Sequence, residues 1–390
     1  MPEMPAASKS APSAVIACGG TGGHLFPGQA VGEEMRRRGC EVTLMVSSKE
    51  VDQQAIASIS DMKIVTLPAV GMTRGGWMRF WAGFWKSYRL ARRLFAEHRP
   101  DVVLAMGGFV SAPPALAGCR VGAKTFLHES NSIPGRANRW LARWVDGAFV
   151  YFPSATQRLR AKRVEAAGMP VRPQFLRPLA AAEAKISLGL NPNTPLLLIM
   201  GGSQGASRVN DLVMAAAPLL RQSAPDLRFM HLTGARDLEK VRAGYTALGI
   251  PALTRAFFDD MGTALAAAEI AVSRAGASSL AELAARQLPA VLIPYPTAAD
   301  NHQHFNALAF AQNGAARLVA QDTATPESLA REILNLLGDE PKRSAMRRAL
   351  TAWQSPAASA CIAERILQWD TAAEQARAAA VPKQWPALTC

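Results

Sequence analysis

Leu196-Leu197-Leu198-Ile199-Met200-Gly201-Gly202-Ser203-Gln204-Gly205 is an apolar run that stops at a glycine-rich turn, and a helical pattern follows from about Ser207 to Leu220. A short continuous apolar run bounded by turn residues reads as a strand buried on both faces, which is how parallel strands look in sequence. The same unit stands near the start of the chain. Ala14 to Cys18 runs into Gly19-Gly20-Thr21-Gly22-Gly23, and a helical pattern opened by Pro27 runs to Arg38 with Gly39 as its stop. Further strands read at Val42 to Val46, Val102 to Ala105 before Gly107-Gly108, and Thr125 to Leu127 before His128-Glu129. After the restart they read at Arg228 to Leu232, Ile270 to Ser273 and Ala290 to Ile293. Strand, turn and helix in alternation predict an α/β protein with parallel sheets, and the restart predicts two doubly wound domains in place of one large sheet. The expected division is residues 13–172 and 173–354, with Pro173 and Pro178 flanking the join, and a helix within about 355–370 packing back on the first domain. Residues 371–390 read as a loose tail.

A length of 390 residues suits two domains, and 49% hydrophobic against 19% charged residues marks a globular chain. The net charge of +13 is unevenly spread: residues 1–172 hold 23 Lys and Arg against 12 Asp and Glu, and the remainder 20 against 18. The basic excess therefore belongs to the first half and suits an anionic partner. Five scattered cysteines form no CxxC pair and no ligand spacing with histidine, so no metal is expected. No stretch approaches the roughly 20 apolar residues that a membrane span needs, and Met1 to Ser13 lacks the apolar core of a leader, so a cytoplasmic protein is expected.

Glycine lets backbone N–H groups come close to a phosphate, and the start of a helix favours negative charge. Two equivalent glycine turns in two equivalent units therefore read as binding loops. Neither is a dinucleotide fingerprint: after Gly20 and Gly22 the third glycine would fall at Leu25, the second strand ends in Ser47-Ser48 without a ribose-binding acid, and the Walker lysine is missing. Ser273-Arg274-Ala275-Gly276-Ala277-Ser278-Ser279-Leu280-Ala281-Glu282 is a turn of short residues that could hold a diphosphate, followed by a carboxylate that either accepts ribose hydroxyls or is merely solvated. Asp300-Asn301-His302-Gln303-His304-Phe305-Asn306 lies just beyond a strand end, where open α/β sheets bind ligands. His302 and His304 stand two apart and share no helix face, so sugar-hydroxyl recognition is the better reading than a metal.

Taken in order, these segments, with Gly107-Gly108-Phe109-Val110-Ser111, His128-Glu129-Ser130-Asn131, Gly168-Met169-Pro170-Val171-Arg172 and Asp259-Asp260-Met261, closely resemble the MurG family over residues 13–368. That family comprises the UDP-N-acetylglucosamine:undecaprenyl-diphospho-muramoylpentapeptide N-acetylglucosaminyltransferases. The resemblance implies a GT-B fold of two Rossmann-like domains across a cleft, the first for the lipid acceptor and the membrane, the second for the UDP-sugar. It implies inverting transfer of N-acetylglucosamine to the muramoyl C4 hydroxyl in peptidoglycan synthesis, with neither cofactor nor metal. His24 is then the leading candidate base and Glu129 the second. The donor site would comprise Thr21, Gly22, Gly23, His24, Asn131, Arg172, Ser203, Phe258, Ala277, Ser278, Glu282, His302 and Gln303. Glu282 would hold the ribose, Ser203 and Arg172 the diphosphate region, the Phe258 backbone uracil, and His302 and Gln303 the sugar, His302 standing where some members carry glutamine.

Trp77, Phe80, Trp81, Phe84, Trp85 and Tyr88 keep helical spacing among Arg74, Arg79, Lys86 and Arg89. Trp77, Phe80, Trp81, Phe84, Trp85 and Arg89 are expected to dock an anionic membrane surface, the alternative being a core-facing helix. The expected place is the cytoplasmic face of the bacterial cell membrane, held peripherally, among cell-wall synthesis and division proteins. No nucleic-acid motif supports a nucleic-acid partner. The competing readings are a GT-B transferase with another acceptor, and a membrane-docked binding protein without turnover.

Overall fold

The computed structural model describes residues 11–20, 22–49, 61–69, 71, 76–202 and 205–369. Its strands are β1 (Ser13–Ala17), β2 (Glu41–Ser47), β3 (Lys63–Leu67), β4 (Val102–Ala105), β5 (Lys124–Glu129), β6 (Gly147–Val150) and β7 (Val164–Ala166), then β8 (Leu196–Met200), β9 (Arg228–Leu232), β10 (Ala252–Arg255), β11 (Ile270–Ser273), β12 (Ala290–Leu292) and β13 (Arg317–Leu318). The helices are α1 (Gly22–Arg37), α2 (Trp77–Glu97), α3 (Gly108–Val121), α4 (Arg136–Leu141), α5 (Ala181–Ser187), α6 (Ser207–Ser223), α7 (Leu238–Ala247), α8 (Met261–Ala267), α9 (Ala277–Ala285), α10 (His302–Gln312), α11 (Pro326–Leu337), α12 (Glu340–Thr351) and α13 (Ala358–Leu367).

The strands form two sheets, ordered β3-β2-β1-β4-β5-β6-β7 and β10-β9-β8-β11-β12-β13, and their pairings are parallel. The expected two doubly wound domains are the observed fold. In each sheet the chain order reverses beside the first strand of the unit, between β1 and β4 and between β8 and β11. At such a switch point the connections leave in opposite directions and open a crevice at the carboxyl ends of the strands. Both glycine turns lie there. The strands read from sequence are present; β3, β6, β7, β10 and β13 were not foreseen, and each lies toward the outside of its sheet.

Helix α1 starts five residues before Pro27, which sits inside it in place of opening it. Helix α13 lies against α1, and Trp369 just beyond it meets the Phe126 ring at 4.9 Å. Gly147 leaves room for this, since a Cβ there would come within 2.6 Å of the Trp369 ring. The cores are not cut cleanly at the join: Tyr151, Phe152 and Met169 pack with the second domain, where the Trp353 ring stacks on Phe310 at 4.3 Å.

Helix α2 corrects part of the membrane reading. It buries Gly83, Phe84, Ser87, Ala91 and Phe95 toward the sheet, so Phe84, 8% exposed, is a core residue, and Phe80 is half-buried. Six aromatics at positions i, i+3, i+4, i+7, i+8 and i+11 form one broad stripe of a helix, and the protein covers only the edge of it that carries Phe80 and Phe84. Trp77, Trp81 and Trp85 point outward at 61, 46 and 49% exposure, Trp81 and Trp85 edge to face with the inner rings, and Arg89 is exposed beside them. Arg74 and Met72 lie outside the described residues.

Candidate active site

The first turn of α1, at the crevice of the first sheet, meets the start of α9 in the second domain. A proline has no N–H, so inside a helix it leaves the carbonyl four residues earlier without its helical partner. Pro27 does this to Gly23. That carbonyl accepts from Ser278 Oγ, in the first turn of α9 in the other domain, at 3.2 Å. The two helix starts, each favouring negative charge, are thereby brought together.

His24 is the next residue, half-buried, with its ring against the Gly107-Gly108 turn. A Cβ on Gly107 would come within 3.0 Å of His24 Cε1, and one on Gly108 within 3.2 Å of Cδ2; both glycines also hold positive φ, 101° and 76°. Behind it, His128 is buried and its Nε2 donates to the Gly168 carbonyl at 2.9 Å. Burial, and secondarily the neighbouring His24, lower the His128 pKa to about 4, so it stays neutral. Lys49, at the end of β2, donates to Gly20 O at 3.0 Å and adds a cation beside this loop that sequence reading missed.

Glu129 is held at the end of β5 by four donors. Its Oε1 accepts from Asn131 N at 2.8 Å and Nδ2 at 3.2 Å; its Oε2 accepts from Gly135 N at 2.9 Å and Asn138 Nδ2 at 2.8 Å. Burial pushes its pKa up and these four bonds oppose that. Both oxygens are spent on shaping the loop that follows β5, so Glu129 is badly placed to take a proton from a ligand. Asn138 gave no sequence signal, because an asparagine nine residues from its partner Glu129 looks like any polar helix residue.

Arg172 leaves the join between the domains. Its guanidinium lies over the Phe26 ring of α1 at 4.1 Å, and its Nη2 stands 3.9 Å from Glu282 Oε1 on α9. Its Nε is buried with no hydrogen-bond partner among the described residues. Burial raises the Glu282 pKa to about 7, with Arg172 pulling the other way. A half-satisfied cation and a desolvated carboxylate, both aimed at a cleft, form a polar pair suited to a charged, hydroxylated ligand. Phe258 is half-buried against the second core, with Phe257 exposed beside it. Thr21 and Ser203 lie outside the described residues.

The second glycine turn rests on a buried polar chain. Asn210 Nδ2 donates to the Thr233 carbonyl and to Asp237 Oδ2, both at 2.9 Å. His231 bridges Asn210 Oδ1 at 3.0 Å and the Tyr245 hydroxyl at 3.1 Å. Gly205, with φ of 73°, passes so close that a Cβ would strike the Thr233 carbonyl.

On α10, His302 Nδ1 donates to the Ala299 carbonyl at 2.8 Å, which leaves Nε2 as its acceptor. Gln303 Oε1 accepts from Tyr295 N at 3.0 Å, which leaves its amide N–H groups for a ligand. Asn306, fully buried, joins this helix to Asn131 and Ser132 of the first domain. Among the described residues no three His, Cys, Asp or Glu side chains cluster as a metal site.

The chain is similar to known proteins over most of its length. The model of the glycosyltransferase family 28 N-terminal domain matches residues 14–150, and that of the C-terminal domain matches residues 196–362. The chain is 36% identical to the UDP-N-acetylglucosamine–N-acetylmuramyl-(pentapeptide) pyrophosphoryl-undecaprenol N-acetylglucosamine transferase of Geobacter sp. (strain M21), covering 90% of this chain and 95% of that one. It is 35% identical to the protein of that name from Anaeromyxobacter sp. (strain Fw109-5), covering 96% and 99%. The crystal structure of Acinetobacter baumannii MurG is similar with a TM-score of 0.72 at 26% identity, covering 92% of this chain and 100% of that one.

Proposed function

The chain belongs to glycosyltransferase family 28, and from that premise we propose that it transfers N-acetylglucosamine from UDP-N-acetylglucosamine to the C4 hydroxyl of undecaprenyl-diphospho-muramoylpentapeptide, with inversion. The observation that carries this reading is the 3.2 Å contact of Ser278 with the Gly23 carbonyl. It brings the start of α9, suited to a diphosphate, beside the one half-buried histidine of the first glycine loop.

In this reading Glu282 accepts from the ribose hydroxyls and the Phe258 backbone meets uracil. Arg172 and the starts of α6 and α9 take up the charge that develops on the departing diphosphate. His302 and Gln303 face the sugar. The C4 oxygen attacks the anomeric carbon from the side opposite UDP, the bond to the β-phosphate oxygen breaks with its electron pair, and His24 takes the hydroxyl proton and passes it to water. Glu129 holds the acceptor-side loop and is assigned no proton transfer.

The acceptor is a membrane lipid, and we place it by α2. Trp77, Trp81 and Trp85, with exposed Met78 and the cations Arg79, Lys86 and Arg89, suit an anionic surface. Exposed Trp140 and Trp144, which sequence reading missed, belong to the layer that α4 forms with α3 and α2. No helix among the described residues is long and apolar enough to cross a membrane. The attachment is peripheral, on the cytoplasmic side, where wall-building and division proteins would meet it.

The test is incubation of the protein with labelled UDP-N-acetylglucosamine and the lipid-linked muramoylpentapeptide. Label is expected in a disaccharide lipid. Failure to label the lipid by a protein that binds UDP would overturn the assignment.

A further inference from the structure

Segment 300–306 carries His302 and Gln303 and is fastened to the first domain at both ends. At one end Asp300 Oδ1 accepts from Arg136 Nη2 at 3.2 Å, and its Oδ2 from Arg139 Nη2 at 2.6 Å. At the other end Asn306 spends its whole amide across the cleft and within it. Its Oδ1 accepts from Ser132 N and Ser132 Oγ, each at 2.9 Å. Its Nδ2 donates to Asn131 Oδ1 at 3.1 Å and to the Ala275 carbonyl, just before α9, at 3.2 Å. Asn131 in turn is held by Glu129.

The backbone of this segment supports the same view. Asp300 and Asn301 both hold left-handed φ, 51° and 53°, in non-glycine residues. Such a conformation persists where the surroundings over-determine it. Here the arginine pair of α4 fixes the Asp300 carboxylate just before the turn into α10.

We propose that Asn306 is a positioning residue for the transfer reaction. With the Asp300–Arg136/Arg139 pair it registers the sugar-facing residues His302 and Gln303 against the Glu129–Asn138 loop of the acceptor domain. The donor's hexosamine is then gripped in working geometry only when the domains are closed on each other, whereas the nucleotide is held by the second domain and the join regardless. This rests on the reading of the cleft as a UDP-N-acetylglucosamine site.

The experiment compares UDP affinity with transfer kinetics in Asn306→Ala, Ser132→Ala, the double variant and Asp300→Asn. For Asn306→Ala, kcat is expected to fall by about 10- to 100-fold, as for small misplacements of reacting groups, with the UDP dissociation constant within about twofold of wild type. The double variant should lose less than the product of the two single losses. Asp300→Asn, altering an exposed pair that cannot unfold the core, should raise the donor KM about two- to fivefold at low salt and lose most of that difference at high salt. Equal losses in UDP affinity and in kcat, with no coupling between Asn306 and Ser132, would make Asn306 an ordinary core amide and overturn the proposal. So would unchanged kinetics in a folded Asp300→Asn protein together with unchanged kcat in Asn306→Ala. Absence of transfer by the wild type in the same assay would instead sink the functional reading itself.

Discussion

The two halves of this chain start from one unit and put it to different uses. In the first, the glycine turn after β1 leads at once into α1, and the residue presented to the cleft is a titratable one, His24, seated on a glycine turn of the neighbouring strand. In the second, ionisable groups lie buried beneath the turn after β8: His231 is held between Asn210 and Tyr245, and burial lowers its pKa to about 3. The charge follows the same division, with most of the basic excess in residues 1–172. A repeated fold thus fixes where ligands go, at the carboxyl ends of the strands. In the function proposed above, the half that does chemistry is the one whose polar group points out of its loop, and the half that binds is the one whose polar groups support the loop from below.

The sharpest test of that contrast is His24→Ala. If the first loop supplies the base, kcat falls by about 10²–10⁴-fold with the donor dissociation constant little changed, measured by turnover and by UDP titration. Near-normal kcat in a folded variant would return the role to Glu129, despite its four hydrogen bonds.

The corresponding loss in the second half should appear in binding. Glu282→Ala removes a charged acceptor for two hydroxyls and is expected to weaken donor binding by about 10- to 100-fold, since bonds to charged groups contribute roughly 1.5–3 kcal/mol each. Calorimetric titration with UDP measures it, and an unchanged constant would reduce Glu282 to a buried acid with no ligand.

The division of charge makes a third prediction. Replacing Trp77, Trp81 and Trp85 by Ser should lower binding to anionic vesicles about tenfold or more, while each basic residue near the surface adds about 1 kcal/mol that salt screens. A folded triple variant that sediments with vesicles as before would remove the lipid from the description of the first domain.

The smallest expected effect is a pH dependence. Burial raises the Glu282 pKa to about 7 in the folded protein. In the empty protein a raised carboxyl contributes stability that is complete below its unfolded value near 4.5 and is lost as pH rises through about 7, a change of order 1–3 kcal/mol. Glu282→Gln should therefore gain thermal stability relative to wild type above pH 7 and little at pH 5. Donor binding runs the other way: the ionised form is the better acceptor, so affinity should weaken as pH falls through 7, and the glutamine variant should flatten that slope.

Much of this was written locally. The apolar runs of β1, β4, β8 and β11 and the glycines that end them identify buried parallel strands and their turns, because hydrophobic burial and positive φ are demands each residue meets on its own. The helix start carrying Ala277 to Glu282, the restart and the uneven charge were legible in the same way, whereas α1 begins five residues before the Pro27 that was expected to open it. The face of α2 was only half readable, since six aromatics at helical spacing do not say which of them the sheet will cover. Nor could sequence show that Pro27 frees a carbonyl for Ser278, 255 positions away, that Phe26 lies under Arg172, or that Asn306 spends its amide on Ser132 across 174 residues. Such contacts have no local signature. They exist only after two sheets, each built by its own burial, have been brought face to face, and then a polar group's partner is whatever the other domain places within about 3 Å of it.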